Sequence, residues 1–307
     1  MKHYSIPVLG LGLLLLAAPA AAQPMVTTSI LPLQSLAAGV MAGIGEPGTL
    51  VRSAGSPHSF ALRPSDARML NASDIVFWIG PEYETFLVKP LAALAGKARI
   101  VPLLTASGVK ALPAREGGAW ESHSHGHSHT HKPNAIELDA HVFLDIDNAK
   151  AIVRVIADTL RSVDAANAAR YTANAEATAA RLNALDTEMK GALAPVARVP
   201  FVVFHDGYQY LEKRYGLNAV GSVTVSPERT PGARRLGEIR RKVDRLNAAC
   251  VFAEPQFDNA LVGTVLEGTK ARRGLLDYIG VDQTPGADAY FGMMRGLARD
   301  LAGCLAG

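Results

Sequence analysis

The sequence predicts an α/β protein with two parallel-sheet lobes and a long helix between them. Short apolar runs alternate with segments of helical spacing from residue 25 to residue 104, and the same alternation returns after residue 199. Such alternation favours parallel strands covered by helices. Between the two regions lies an alanine-rich segment, 164–193, with no proline and no glycine before Gly191. Its length and composition predict one long helix.

The composition fits a globular protein of two domains. The chain has 307 residues, of which 49% are hydrophobic and 19% are charged, and its formal net charge is +3. This length exceeds the usual size of a single domain. No basic run is long enough to indicate nucleic-acid binding, so no nucleic-acid partner is expected.

The first 22 residues are predicted to be a signal peptide. Lys2 supplies a positive charge, an apolar stretch follows, and three alanines at 20–22 offer a cleavage site. A membrane-spanning helix needs about 20 apolar residues, which is more than this stretch contains. No cysteine follows the cleavage site for lipid attachment. We therefore expect an exported, unanchored protein whose mature chain begins at Gln23.

The first α/β unit is predicted between residues 25 and 104. Apolar, β-branched runs predict strands at 25–31, 48–51, 75–79 and 99–104. Helical spacing or a proline near a helix start predicts helices from residues 33, 63 and 83. Ligands of parallel sheets bind beyond the carboxyl ends of the strands. His58 lies in a loop shortly after the second strand, in such a position.

Two helices and a second α/β unit are predicted next. The helices cover 148–160 and 164–193, and the second would be a rod of about 45 Å, long enough to join two lobes. No heptad pattern persists, which argues against a coiled coil. The second unit has predicted strands at 199–204, 217–225, 250–253 and 274–276, and predicted helices at 233–246, 261–269 and 290–305.

A histidine-rich tract interrupts the chain between the first unit and the helices. Its imidazoles alternate with Ser, Gly and Thr, and they belong to His123, His125, His127, His129 and His131. The tract has nothing apolar to bury, so it predicts a solvated segment. An expression tag would normally lie at a terminus, whereas this tract is internal. Neutral imidazole binds zinc, copper, nickel and iron, so the tract indicates transition-metal handling.

Three further histidines remain in the mature chain: His58, His141 and His205. Each lies where a predicted strand meets a loop, so two lobes could bring them together in a cleft. Three imidazoles would leave a fourth tetrahedral position for water or for a carboxylate. Asp277, at the end of a C-terminal strand, is the best-placed carboxylate, although an aspartate in an ordinary turn would look the same.

The two cysteines, Cys250 and Cys304, predict a disulfide. An exported chain with a single pair usually forms one, and these residues lack the close spacing of a metal-thiolate site. Closing so long a loop would stabilise the protein by roughly 4 kcal/mol.

Several motifs, in this order, resemble the periplasmic metal-binding proteins of ABC importers, and specifically the zinc-uptake branch. They are the residues 57–66, the histidine-rich insertion, and the segments 139–145, 204–208, 252–257 and 276–277. The resemblance covers nearly the whole mature chain. It implies two α/β lobes joined by a long rigid helix, with the metal site in the cleft between the lobes.

The resemblance also implies the ligands and the partners. The matching ligands are His58, His141 and His205, while Asp277 matches a carboxylate ligand of manganese-binding and some zinc-binding relatives. The zinc branch often has an acid before its first histidine, where this chain has Pro57. The implied activity is binding Zn(II) in the periplasm for a membrane permease, without catalysis. A periplasmic metal chaperone is a further candidate partner, and a monomer is expected.

The corresponding organisation is a signal peptide at 1–22, an N-terminal lobe at 23–163 with a histidine-rich loop at 121–132, a linking helix at 164–196 and a C-terminal lobe at 197–307. Three alternatives stay open: a manganese or other divalent-metal protein of the same family, a zinc-dependent hydrolase, and a periplasmic zinc buffer without a transporter. A hydrolase would need a general base near the metal-bound water, for which Glu254 is the candidate.

Overall fold

The computed structural model describes residues 23–52, 55–115, 137–224, 231–257 and 260–307. Two predicted features lie outside the described residues: the signal peptide, 1–22, and the histidine-rich loop, 121–132, with all five of its histidines. Across the ranges that the structure does describe, no helix is both long and apolar enough to cross a membrane.

The first sheet occupies the N-terminal third of the chain. Its strands are β1 (Val26–Thr28), β2 (Gly48–Thr49), β3 (Ile75–Trp78) and β4 (Arg99–Pro102), and its helices are α1 (Leu31–Val40), α2 (Pro64–Ala72) and α3 (Val88–Leu94). All pairs are parallel, in the order β2-β1-β3-β4. Every residue of β3 is buried, as expected for a strand covered on both faces. The predicted strands of this sheet are therefore confirmed.

A short antiparallel hairpin, which the sequence analysis did not predict, follows the first sheet. Strand β5 (Leu112–Pro113) pairs with β6 (Leu138–Asp139). The chain between these strands contains the histidine-rich loop, so that loop leaves and re-enters the described structure at the hairpin. Neither strand contains a β-branched residue, so the sequence carries no strand signal at these positions.

Two consecutive helices separate the sheets. Helix α4 (Ile146–Val163) begins at Asp145, whose carboxylate accepts hydrogen bonds from the backbone N–H groups of Asp147 and Asn148. Helix α5 (Ala168–Leu193) follows a short 3-10 turn, and its 26 residues form a rod of about 39 Å. The predicted long linking helix is thus present, with its first residues in the 3-10 turn rather than in the α-helix.

The second sheet repeats the architecture of the first. Its strands are β7 (Pro200–His205), β8 (Asn218–Thr224), β9 (Cys250–Ala253) and β10 (Arg272–Leu275), and its helices are α6 (Gln209–Tyr215), α7 (Ala233–Arg245), α8 (Ala260–Leu266) and α9 (Ala289–Leu305). The strands are parallel, in the order β10-β9-β7-β8. The predicted disulfide is present and joins Cys250, at the start of β9, to Cys304 near the end of α9.

One apolar core connects the two sheets. Helix α5 packs against α1, α4 and α9. Phe77 of β3 and Phe201 of β7 belong to the same cluster of buried side chains. Tyr290 of α9 donates its hydroxyl to the carbonyl oxygen of Phe143 at 2.7 Å, so the C-terminal helix is also tied to the first half of the chain. The predicted fold, two parallel-sheet lobes joined by a long helix, is confirmed.

Candidate metal centre

Three histidines from distant parts of the chain meet between the two sheets. His58 lies in the turn between β2 and α2, His141 lies two residues after the end of β6, and His205 is the last residue of β7. One ligand atom from each lies within 4.8 Å of the other two. Within the described ranges, these three histidines form the group of His, Cys, Asp or Glu side chains that could hold a metal. The structure therefore brings together the three histidines that the sequence singled out.

His141 is held in place by a carboxylate two residues before it. Asp139 Oδ1 accepts hydrogen bonds from the backbone N–H of His141 at 3.0 Å and lies 2.8 Å from His141 Nδ1. Both side chains are buried. A neutral imidazole that donates its Nδ1–H to a carboxylate presents the lone pair of Nε2, which is the form that binds a metal.

His205 has an equivalent carboxylate partner on the neighbouring strand. Its Nδ1 lies 2.8 Å from both carboxylate oxygens of Glu254, which directly follows β9. The hydroxyl of Tyr208 donates to Glu254 Oε1 at 3.0 Å. All three side chains are buried, so Glu254 is fixed on two sides and orients the His205 ring with Nε2 toward His141.

The two oriented imidazoles face each other at a separation that suits a metal. His141 Nε2 and His205 Nε2 lie 3.1 Å apart. Tetrahedral zinc with metal–nitrogen bonds of about 2.0–2.1 Å would separate its nitrogen ligands by about 3.3 Å. The two nitrogens thus need to move by only a few tenths of an ångström to share one ion.

Gly207 leaves the space that this arrangement requires. A Cβ atom at position 207 would lie 2.5 Å from His205 Nε2 and 3.0 Å from His141 Nε2. Any side chain there would occupy the point toward which both nitrogens are directed. Position 207 therefore has room for glycine only, because a side chain would collide with the two imidazoles.

Aromatic rings enclose the imidazoles. Tyr83 packs edge-on against His58, with ring centroids 4.7 Å apart, and lies 5.2 Å from His141. Tyr278 packs against His205 at 4.9 Å. Both tyrosines are buried, so they restrict the movement of the imidazoles and keep bulk water away from them.

Burial and neighbouring charges shift the pKa values of His58 and His205. Burial lowers the pKa of His58 well below its usual value, and the nearby His141 and His205 lower it further. Burial also acts to lower the pKa of His205, but the negative charge and the hydrogen bond of Glu254 outweigh it and raise this pKa. His58 is consequently a ready neutral donor, whereas a metal at His205 competes with a proton.

A cavity of about 130 Å³ opens onto the histidines. Its lining includes His58 and His141 together with Glu82, Arg115 and Asp206. A small ion can therefore reach the site from this side, past a lining with one basic and three acidic side chains, the third being Asp139.

Asp277 lies outside the group of three histidines. Its Oδ1 accepts hydrogen bonds from Gln256 Nε2 and from the backbone N–H of Gly280, both at 3.0 Å. The carboxylate thus shapes the turn that follows β10. Its role as a fourth ligand stays a prediction.

Sequence reasoning missed the residues that support the ligands. Asp139 enters the prediction only within the segment 139–145, Glu254 only as a candidate base, and Gly207 only within the segment 204–208. The signal for Asp139 was local, because a carboxylate two residues before a histidine can bond back to it. Glu254 could not be found this way, since it reaches His205 across two paired strands.

Comparison with known proteins decides the family. The family model for ZnuA, described as zinc-uptake complex component A, periplasmic, matches residues 26–304. The chain belongs to this family. The high-affinity zinc uptake system protein ZnuA of Brucella abortus (strain 2308) is 43% identical over 304 residues, which cover 91% of each chain. The protein of that name from Yersinia pestis is 36% identical over 292 residues, 92% of each chain.

Solved structures share the fold. A crystal structure of ZnuA superposes with a TM-score of 0.78 at 21% identity and covers 92% of this chain and 100% of its own. The periplasmic zinc binding protein TroA from Treponema pallidum gives a TM-score of 0.78 at 19% identity and covers 92% of this chain and 99% of its own. These structures confirm the fold, while the family model and the sequence relatives confirm the resemblance to the zinc-uptake branch.

Proposed function

We propose that this ZnuA-family protein captures Zn(II) in the periplasm and delivers it to the membrane permease of an ABC importer. Membership of the zinc-uptake family supports the transport role. The observation that carries the binding role is the 3.1 Å separation of His141 Nε2 and His205 Nε2, with each ring held through Nδ1 by its own carboxylate. His58 completes a set of three nitrogen donors.

The donor set supports zinc over manganese. Imidazole nitrogen suits zinc, whereas manganese prefers carboxylate, carbonyl and water oxygens. Three imidazoles, two of them on buried rings oriented by carboxylates, form the open site that zinc binds with three protein ligands and one further position. A manganese or mixed-metal protein of the same family remains the alternative, and it would need more oxygen donors than this group supplies.

Water is our proposed fourth ligand, with Asp277 as the competing candidate. Asp277 Oδ1 already accepts hydrogen bonds from the side chain of Gln256 and from the backbone N–H of Gly280 in its own turn, so ligation would use its other oxygen or cost those bonds. The variant Asp277→Asn should weaken zinc binding less than about ten-fold if water fills the position. A loss as large as that of His141→Ala would establish Asp277 as the ligand.

A hydrolase is the second candidate, and the surroundings of Glu254 argue against it. A general base must be free to take a proton from the metal-bound water. Glu254 instead lies against His205 Nδ1 with both oxygens and accepts the Tyr208 hydroxyl. Hydrolysis of an activated ester by the purified protein, abolished in His141→Ala, would revive this candidate.

The histidine-rich loop is proposed to raise the local supply of zinc. Its two ends leave the described structure at Arg115 and at residue 137, beside strands β5 and β6. Arg115 and Leu138 both line the cavity that opens onto His58 and His141. Zinc bound by His123, His125, His127, His129 or His131 would thus be bound by the segment that connects these two cavity-lining residues. A periplasmic metal chaperone could be a further donor, and we propose that the protein acts as a monomer.

Zinc titration by calorimetry tests the proposal. We would compare the mature protein with the His58→Ala/His141→Ala/His205→Ala variant and with a variant lacking residues 121–132. One tight site that survives the deletion and disappears in the triple variant is expected. Tight binding that persists in the triple variant would place the metal in the loop and make the protein a zinc buffer. Unchanged growth under zinc limitation after deletion of the gene would also favour a buffer.

A further inference from the structure

Arg115 connects two parts of the molecule beside the metal site. It lies two residues after the end of β5, the first strand of the β5–β6 hairpin. Its Nε donates to Asp206 Oδ1 at 3.0 Å and Oδ2 at 3.1 Å, and Nη1 and Nη2 donate to the two oxygens of Glu212 at 2.7 and 2.9 Å. Nη2 also contacts Asp206. One guanidinium thus holds two carboxylates by bidentate contacts, which is the strongest geometry for such pairs.

This ion cluster is largely shielded from water. The exposed fractions are 22% for the Arg115 side chain, 8% for Asp206 and 11% for Glu212. Exposed ion pairs contribute little because solvent screens them, whereas a paired and desolvated charge is costly to leave alone. The contact therefore resists separation of the segments that carry it.

Both ends of the ion cluster are connected to a histidine of the metal site, Asp206 along the chain and Arg115 through the hairpin. Asp206 is the residue after His205. Strand β5, which precedes Arg115, pairs Leu112 with Asp139 of β6, and Asp139 orients His141. Separation of Arg115 from Asp206 would accordingly separate the supports of the two facing imidazoles.

Helix α6 makes two further contacts with the same hairpin. The hydroxyl of Tyr210 donates to the carbonyl oxygen of Asp139 at 2.7 Å and accepts from the backbone N–H of Leu112 at 2.9 Å. Gln209 Nε2 donates to the carbonyl oxygen of Pro113 at 3.0 Å. The hairpin is thus docked on the second half of the chain along both of its strands.

We propose that Arg115 is a positioning residue of the zinc site: it clasps the hairpin that supports His141 to the segment that carries His205, and so slows zinc release. This inference rests on the proposed function, since it assumes that these histidines bind zinc. Zinc binds to a site that is already assembled, so Arg115 affects the dissociation rate of zinc more than its association rate. Opening of this clasp is the local movement that accompanies delivery.

Stopped-flow release of zinc to a chelator tests the proposal. The variant Arg115→Gln should raise the dissociation rate at least ten-fold and leave the association rate within about two-fold of the wild type. Arg115→Lys should give an intermediate rate, because an ammonium cannot hold both carboxylates in a fork. The matched control is Arg295→Gln, which removes an exposed arginine paired with Glu188 and should leave both rates unchanged.

The double variant Arg115→Gln/Glu212→Gln removes one of the two carboxylates that would be left without the guanidinium. Fast release in this variant as well would attribute the effect to the lost clasp rather than to excess negative charge. Slow, wild-type release in Arg115→Gln, with the protein folded and zinc bound, would overturn the proposal. If the wild type bound no zinc, or if His205→Ala bound it equally well, the proposed function itself would fail instead.

Discussion

His141 Nε2 and His205 Nε2 lie 3.1 Å apart although 64 positions separate the two residues in the chain. Each ring is fixed from behind by a carboxylate, Asp139 for one and Glu254 for the other. The two nitrogens are consequently placed before any metal arrives. Little rearrangement is needed on binding, so most of the affinity of each metal–nitrogen bond is available for capture.

Gly207→Ala should abolish tight zinc binding. The added methyl group would lie 2.5 Å from His205 Nε2 and 3.0 Å from His141 Nε2, where it would block the metal and displace the rings. Calorimetric titration measures the loss, which we expect to exceed 100-fold. The matched control is Gly191→Ala in α5, where the added carbon meets nothing within 4 Å. That control should keep full zinc affinity and stabilise its helix by roughly 0.5–1 kcal/mol; normal binding by the Gly207 variant would contradict the proposed ion position.

Glu254→Gln should weaken zinc binding about 10- to 100-fold, the usual effect of losing a carboxylate behind a ligating histidine. It should also change the pH profile. Glu254 raises the pKa of His205, so wild-type affinity falls as acidification passes this raised pKa and a proton replaces the metal. In the variant this pKa falls, and the decline moves to lower pH.

Titrations between pH 5 and 8 measure this shift, with exposed Glu267→Gln as the control that should follow the wild type. His58 has a pKa well below the usual value, so it should not set the midpoint of either curve. Identical midpoints for the wild type and Glu254→Gln would show that Glu254 does not govern the protonation of His205.

Glu84→Gln should remove a pH-dependent contribution to stability. Burial raises the pKa of Glu84 to about 7, despite hydrogen bonds from Ser29, Ile79 and Gly80. A raised pKa means that the native state retains a proton that the unfolded chain releases. The stabilising contribution is therefore complete below the usual carboxyl pKa of about 4.5 and is lost as the pH rises through about 7.

Denaturant unfolding of the metal-free protein at several pH values checks this prediction. The free energy of unfolding of the wild type relative to Glu84→Gln should decrease by on the order of 3 kcal/mol from acid to mildly alkaline pH. The same comparison with Glu267→Gln should show no such trend. A constant difference between wild type and Glu84→Gln would mean that folding does not shift the pKa of Glu84.

Replacement of both cysteines by alanine should reduce stability without affecting zinc. The disulfide closes a loop with a sequence separation of 54, and its loss should lower the free energy of unfolding by about 4 kcal/mol. Cys250 opens β9, whereas Glu254 follows the other end of that strand. Zinc affinity of the folded variant should therefore match the wild type. A large fall in affinity would show that the disulfide also shapes the site.

Much of the fold could be predicted because its elements have strong sequence signals. Strand β3 is an unbroken apolar run, and α5 is an alanine-rich segment without internal proline. The hairpin and α6 lack such signals. The strands Leu112–Pro113 and Leu138–Asp139 contain no β-branched residue, and α6 begins after Tyr208, which makes no side-chain cap. Their stability comes from tertiary contacts such as those of Tyr210, which no local pattern contains.

The three histidines could be predicted because so few remain outside the tract and the leader. The groups that make them a site could not. Glu254 and His205 are 49 positions apart, and Arg115 reaches Asp206 across 91. Such pairs depend on strand order and on the docking of the hairpin, which the sequence of one chain does not specify. That Asp277 is a ligand stays a prediction, because a carboxylate at the end of a strand can equally well bond to the backbone of its own turn.

The continuous core around α5 bears on how a permease could distinguish the zinc-bound protein from the zinc-free protein. Prying the sheets apart would expose Phe77, Phe201 and their neighbours to water, at about 25 cal/mol for each Å² of apolar surface. The cost of exposing this core disfavours a large separation of the sheets. Under the proposed function, a permease would then detect the bound dication through its electric field at the rim side chains Glu82, Arg115 and Asp206.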